Sequence, residues 1–567
     1  MATATAAKPE IFVRKSSGLV RVMSPFSAFV YNILTMGIIF PWTYLWAPGN
    51  LPGGQLVWGI LLAMVVEIPI AVVYVFLSTA LPRSGGDYVF QSRVFGGGIA
   101  FTVVMSGYVI WILQWVALSG WLLSYLGFSP LFLGLGASLG NPALTSIGQW
   151  FANYGSLSIT SSGIALDIGG IVPVSILNAL VAMLLLVSGF KNYVRFQWVM
   201  FYATLIAFAA VLIVLFTSSP ATSLPAIDSF AKSINGVSNF TKTATDAVVA
   251  AGKSLTPPFS LLATILVAPI AWTSLQWATY SAQQNGEIKD ARSFRAQMFI
   301  IVGSLIATGI LLVLLAIALE NAVGSQFLIV AANGGFYGAA LPDATIGGIL
   351  LWPNIIAVAI SNNPLVIILI GIGFILNSFQ IVCNCYIGMT RVMVAMSFDR
   401  LLPEWVGRVH ERLHTPVNAH LAYFLFSIPV IIAYNMWTAD WFNSGSTWGS
   451  ITLGVTFACG YVFVVSCLAG ALLPYRAKEI YEASPGAKYK LFGYPLVTVL
   501  GVLGFLVGGA FVVMYVVTPE LGLATDLART VVAVVLVVSV VWYFAVKFAR
   551  RSRGIDVNFA YKEIPPE

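Results

Sequence analysis

The chain has 567 residues, of which 59% are hydrophobic and 9% charged, and its mean hydropathy is +0.90. Soluble domains carry about 25% charged residues, so this composition excludes a water-soluble protein and makes lipid the solvent. Lys and Arg number 28 against 21 Asp and Glu, a net charge of +7 whose meaning depends on where the basic residues fall.

A helical span needs about 20 mostly apolar residues, and about twelve such segments fit between Ser24 and Lys547. Segments that must satisfy their own backbone groups in lipid are helices, since a barrel would show roughly ten-residue alternating strands. The fold class is therefore an all-α integral membrane protein. The spans run from Ser24 to Trp46, Gln55 to Leu81, Gly96 to Leu126, Ile168 to Phe190, Phe196 to Thr217 and Phe259 to Ala282. Six more cover Ala296 to Leu319, Pro364 to Met396, Asn418 to Trp437, Gly449 to Leu473, Pro495 to Thr518, and Leu527 to Phe548.

At the N-terminus Lys8, Arg14, Lys15 and Arg21 precede an apolar stretch too long for a signal-peptide core, so residues 1–23 read as a retained cytoplasmic segment. With that end inside, only Lys232, Lys242, Lys253 and Arg529 of the 28 basic residues fall outside. The positive-inside rule then places both termini, including the tail 549–567, in the cytoplasm of a multi-pass cell-membrane protein. The basic excess is a topology signal and implies the bilayer, not nucleic acid, as partner. Four cysteines, Cys383, Cys385, Cys459 and Cys467, lie in apolar runs and read as small buried hydrophobes.

Two outside loops are long, Gly127 to Asp167 and Ser218 to Pro258, and loops of this length hold short helices or lids. The apolar stretch around Gly324 to Ser361 is a third candidate cap. Asn239-Phe240-Thr241 is a glycosylation sequon on that side.

In the first span Pro41 cannot donate to the carbonyl of Gly37, and in the sixth Pro269 likewise releases that of Ile265, with Thr273 and Ser274 nearby. Corresponding interruptions in two halves point to a transporter, because unwound backbone at membrane depth is tolerated only where it lines a cavity. Ordinary proline kinks are the alternative, since Pro69, Pro173 and Pro429 also lie within spans.

Four loop signatures carry a resemblance. They are PRSGGDY at Pro82 to Tyr88, GFKNYVRFQ at Gly189 to Gln197, RVMVAMSFDRLLPEW from Arg391 on to Thr415-Pro416 and Ala419, and, more loosely, Gln283 to Arg295. In this order they resemble those of the amino acid-polyamine-organocation superfamily of secondary transporters, amino acid permeases in particular. The resemblance implies a five-plus-five inverted repeat, 24–217 and 259–473, separated by the extracellular loop 218–258 and followed by two additional helices in 474–548. It implies a substrate held between spans one and six, at Asn32, Thr35, Met36, Gly37, Ala268, Trp272, Thr273 and Ser274, with Trp272 at the family's aromatic gate position. Gln276 replaces the family's Glu, and the first break keeps one glycine where the family has several. The glutamine fits an apolar or aromatic-stacking pocket better than a polycation site, and the single glycine weakens the case for capture of a substrate carboxylate by backbone amides.

Proton-coupled relatives place a lysine in span five where this chain has Thr204. A sodium site is expected instead, from first-span carbonyls with Asn377 and Ser378, since oxygen ligands suit a hard cation. Glu67 is the carboxylate nearest the centre of a span; carrying a proton, contacting an amine and a structural hydrogen bond are all open to it. Asp167 and Glu320 lie near outer span ends. His410, His414 and His420 cluster without a cysteine beside them, a weak metal pattern, so no metal or cofactor is expected beyond Na+ or H+ as coupling ion.

The expectation is a secondary transporter of amino acids, neutral or hydrophobic, working by alternating access on an ion gradient. Its partner is the small-molecule substrate. A carrier of a polyamine or nucleobase-like solute is the alternative, and a channel the next. An enzyme would need convergent reactive groups at one depth, which this chain does not offer.

Overall fold

The computed structural model describes residues 18–38, 42–160, 163–333, 345–436, 448–521 and 526–562. The basic N-terminal residues Lys8, Arg14 and Lys15, and Pro41, lie outside them. Among the described residues, ten helices are long and apolar enough to cross a membrane: Leu56–Ala80, Gly97–Leu139, Phe190–Phe216, Leu261–Gln283, Phe294–Ala332, Pro364–Phe398, Val417–Asn435, Phe457–Arg476, Leu496–Val517 and Arg529–Arg551. The shorter apolar helix Ile171–Val187 supplies the fourth span. The first is in two pieces, Pro25–Met36 and Trp42–Asn50. Together these make the twelve passes that hydropathy implies.

Length explains several departures at the ends. The third helix has 43 residues, which at 1.5 Å per residue exceeds by about twofold the 30 Å of hydrocarbon. Its continuation beyond Leu126 therefore lies where a loop is expected, and π turns at Met105–Ile110 and Leu122–Phe128 adjust its course. The seventh likewise runs on past Leu319 to Ala332, through a kink at Gly324. Outside the spans on this side sit Pro142–Ala152, Pro220–Asn235, Phe240–Ala250, Pro353–Ser361 and two short hairpins. The long loops thus hold short helices, as expected. The sequon threonine is tied down, its N–H and Oγ1 both donating to Asp228.

The opposite side carries Met23, the turn at Pro82–Tyr88 and the segment from Asp399 to Pro416, and is called the basic face below. The sixth span lies at the heart of the bundle, buried over 78% of its apolar window, while the twelfth, at 17%, lies at the edge. Without a hydrophobic drive between helices in lipid, close approach of small residues brings spans together. A Cβ placed on Gly373 of span eight would stand 2.1 Å from that of Ala207 on span five.

The two proline interruptions turn out differently. The first span leaves helical geometry at Gly37, whose φ of +75° an L side chain resists. The sixth does not break at Pro269, which is a correction. Its α-helix runs Leu261–Leu275 straight through the proline, then tightens into a 3-10 helix over Gln276–Gln283. Beside the proline the Pro269 carbonyl accepts from Tyr515, and Thr273 Oγ1 donates to the Ile270 carbonyl at 2.6 Å.

Candidate functional site

Ser24 caps the first half-helix by accepting from the Ser27 N–H, and Pro25 sits where no donor is needed. Twelve residues on, the Gly37 N–H returns to the Ile33 carbonyl and the helix stops. Met36 and Ile38 are buried, so the last turn's carbonyls lose their helical donors inside the protein and not in water. Beyond the break Tyr44 anchors the second piece to the Leu312 carbonyl of span seven.

Around the break the polar side chains are tied to several spans. Asn32 donates to Ser281 Oγ at 3.1 Å and to the Ile300 carbonyl at 3.2 Å, and accepts from the Ser281 N–H at 2.9 Å. It thereby clamps span one to spans six and seven. Thr35 Oγ1 donates to the Tyr31 carbonyl and accepts from Asn384 Nδ2, both at 2.6 Å. Asn384 also accepts from Tyr193 on span five at 2.5 Å, and Gln380 Nε2 donates to the same Tyr193 oxygen at 3.2 Å.

The sixth-span residues divide. Ala268, Trp272, Thr273 and Ser274 are all buried. Trp272 does not turn toward the first-span break: its Nε1 donates to Glu67 Oε2 at 2.5 Å, and its ring packs edge-on against Phe463 and Phe511. Two candidates named separately in the sequence are therefore partners, and Glu67 Oε1 has no partner among the described residues. The ring that faces span one is Tyr280, stacked on Tyr31 at 6.1 Å.

Tyr280 belongs to an aromatic cluster that sequence reasoning missed. Trp277 lies 5.3 Å from Tyr280, 5.6 Å from Trp115, 6.1 Å from Phe463 and 6.3 Å from Tyr108. The Tyr280 hydroxyl and the Trp277 N–H are buried without partners among the described residues. Buried donors are normally satisfied, so this cluster has hydrogen bonds to offer. A readable signal was the three-residue interval between Trp277 and Tyr280, which a 3-10 helix places in line.

Of the ion-coupling candidates, Thr204 Oγ1 and Asn377 Nδ2 are buried and unpartnered among the described residues, and Ser378, next to Asn377 in sequence, is buried too. The hydrogen bond from span eight to span one is made by Asn384. The histidines go separate ways: His410 accepts from two backbone N–H groups, His414 meets the Gly18 carbonyl and His420 meets Arg391.

On the basic face the four signatures converge. Gly85 donates to the Gln283 carbonyl in a left-handed turn that sets Tyr88 to donate to Asp399 Oδ2 at 2.8 Å. Arg93 grips the same carboxylate at 2.7 and 3.1 Å. Arg391 grips Glu287 at 2.7 and 2.9 Å, touches His420 and lies over the Phe190 ring. Gln197 reaches the Ser27 carbonyl. Residues scattered over more than 300 positions thus close one layer. A family model described as amino acid permease matches residues 24–540. The chain belongs to the amino acid permease family. A protein of Methanocaldococcus jannaschii, named as a putative amino-acid transporter, is 29% identical over 149 residues, 23% of this chain and 38% of that protein. An uncharacterised protein of Sulfolobus islandicus rod-shaped virus 1 is 33% identical over 102 residues, 16% of this chain and 26% of its own length. The permease thus spans well under half the length of either relative.

Proposed function

We propose that this permease carries neutral or hydrophobic amino acids across the cell membrane by alternating access, driven by an ion gradient, with the basic face and both termini cytoplasmic. The observation that carries the reading is the helix stop at Gly37, buried within the bundle six residues beyond Tyr31, on which Tyr280 of the aromatic cluster stacks. Backbone dipoles at such a stop suit the charged ends of an amino acid, and aromatic walls suit an apolar side chain. No cationic or anionic side chain among the described residues enters the hydrogen bonds around Asn32, Thr35 and Asn384, which favours a neutral solute. Spans one to five and six to ten act as the two inverted repeats, with the last two spans appended.

For the coupling ion, first-span carbonyls with Asn377 and Ser378 are the sodium candidates, Thr204 stands where proton-coupled relatives carry a lysine, and Glu67 is a mid-membrane group able to take a proton. Reconstituted protein should accumulate labelled neutral amino acids against their concentration. Mere equilibration would favour a channel, and sodium-independent accumulation would remove the sodium site.

A further inference from the structure

Three carboxylates are buried in the layer that closes the basic face, and they are not alike. Glu287 has Arg391 and Asp399 has Arg93, each in a two-pronged ion pair. Asp87, equally inaccessible, has only neutral donors: Tyr74 of span two and Ser466 of span ten both give to Oδ1, and Gln283 at the end of span six gives to Oδ2. No cation pairs with it among the described residues. The other titratable groups around it, Tyr108, Cys459 and Cys467, are neutral in their ordinary forms. An ion buried without a counter-charge is expensive, and protonation removes the expense.

The surroundings can serve both forms. Gln283 Nε2 donates to a carboxylate; its Oε1 has no partner among the described residues, and with the amide turned over it would accept from a carboxyl O–H on Oδ2. Asp87 rides on the short helix Gly86–Phe95 that feeds span three, while its donors belong to spans two, six and ten. Parting of those spans on the basic face would strip the carboxyl of its donors and wet it.

We propose that Asp87 binds a proton while the basic face is closed and releases it to water on that side when the face opens, which makes it a proton-coupling residue of the transport cycle. The proposal rests on the alternating-access reading for its role in transport, but not for the protonation itself. The chemistry balances: carboxylate plus proton gives carboxylic acid in the closed form, and opening returns the proton to water. Burial raises the Asp87 carboxyl above the ordinary carboxylate range, against the hydrogen bonds from Ser466, Tyr74, Gln283 and Tyr108, which lower it. The sign follows: the closed form holds the proton more tightly than the open one, so acid favours closure and a more alkaline cytoplasm favours opening.

Infrared difference spectroscopy of purified protein at neutral pH tests the first part. A protonated-carboxyl band should be present in the wild type, be lost in Asp87→Asn, and persist in shifted form in Asp87→Glu, which guards against a misfolded variant. A wild-type spectrum unchanged by Asp87→Asn overturns the proposal whether or not the protein transports. In proteoliposomes given an equimolar mixture of labelled amino acids, an inward gradient of one pH unit should support accumulation approaching about tenfold for one proton per solute. Asp87→Asn should lose that accumulation while retaining exchange. Retention of pH-driven accumulation in Asp87→Asn overturns the coupling role; absence of exchange in the wild type overturns the transporter reading instead.

Discussion

On the basic face Arg391 meets Glu287 with side chains 1% and 0% exposed, whereas on the opposite face Lys242 meets Asp246 with side chains 76% and 65% exposed. The first pair joins span eight to the loop after span six, 104 residues away; the second joins two neighbours on one helix. Around the first are Arg93, Asp399 and Tyr88, drawn from distant segments. Around the second are short helices such as Pro220–Asn235 and Phe240–Ala250, held by local bonds and by Asn235 reaching Thr345 and Gly347. Opening is therefore costliest on the basic face, where separation would expose or orphan buried charges, whereas the exposed pair on the other face is already in water.

The largest effect should come from cutting the buried lattice. Arg391→Ala leaves Glu287 sealed and unpaired, and a loss of about 3 to 5 kcal/mol is expected in unfolding of the detergent-solubilised protein. Replacing both partners together, Arg391→Met with Glu287→Leu, should recover most of it, because the cost lies in the orphaned charge. If the single variant is as stable as the wild type, the basic face is not closed by these pairs and the contrast with the opposite face dissolves.

Mid-membrane, the Glu67 and Trp272 pair offers an intermediate case, one carboxyl with one neutral donor. Trp272→Phe removes that donor and should cost about 1 to 3 kcal/mol, while Glu67→Gln keeps an acceptor for the indole and should cost under about 1 kcal/mol. Thermal unfolding of the two variants side by side measures the difference. An altered pH profile of uptake in Glu67→Gln would assign the group to coupling, and an unchanged one would leave it structural.

Next in size is the helix stop. Gly37→Ala forces a side chain into φ +75° and should cost about 1 to 2 kcal/mol. Its effect on transport should exceed its effect on stability, because the break itself is the proposed grip on substrate. Uptake reduced no more than stability predicts would move the site elsewhere, toward Trp277 and Tyr280.

Much of this architecture was legible in the sequence, for physical reasons that also set the limit. Hydropathy finds the passes because lipid tolerates little else, and the positions of basic residues mark a single face. The first break was legible because a glycine and a nearby proline mark it locally. The sixth was misplaced because proline removes only one hydrogen bond and the helix runs on through it, whereas the tightening over Gln276–Gln283 comes where Trp277 meets Tyr108 and Tyr280 meets Tyr31, contacts between distant segments that local sequence does not show. Depth was equally illegible. Asn377 and Asn384 are seven residues apart, so they share a helix face but differ by about 10 Å along it. Sequence therefore identifies the face of span eight turned to the first span, but not that Asn384 is the residue reaching Thr35. Nor could spacing show that Glu67 and Trp272, 205 positions apart, touch.

The smallest expected effect is the sharpest check on the contrast. Lys242→Ala removes a charge from an i,i+4 pair in water, where the attraction is screened and ordering the side chain costs entropy, so stability should move by no more than about 0.5 kcal/mol. Raising salt should erase even that, because the pair lies outside the low-dielectric bundle. Hydrogen exchange should show any loss confined to Phe240–Ala250, with the spans unaffected. If Lys242→Ala instead loosened amides on the basic face, the helices of the opposite side would be coupled to the buried lattice, and closing one face would already begin at the other.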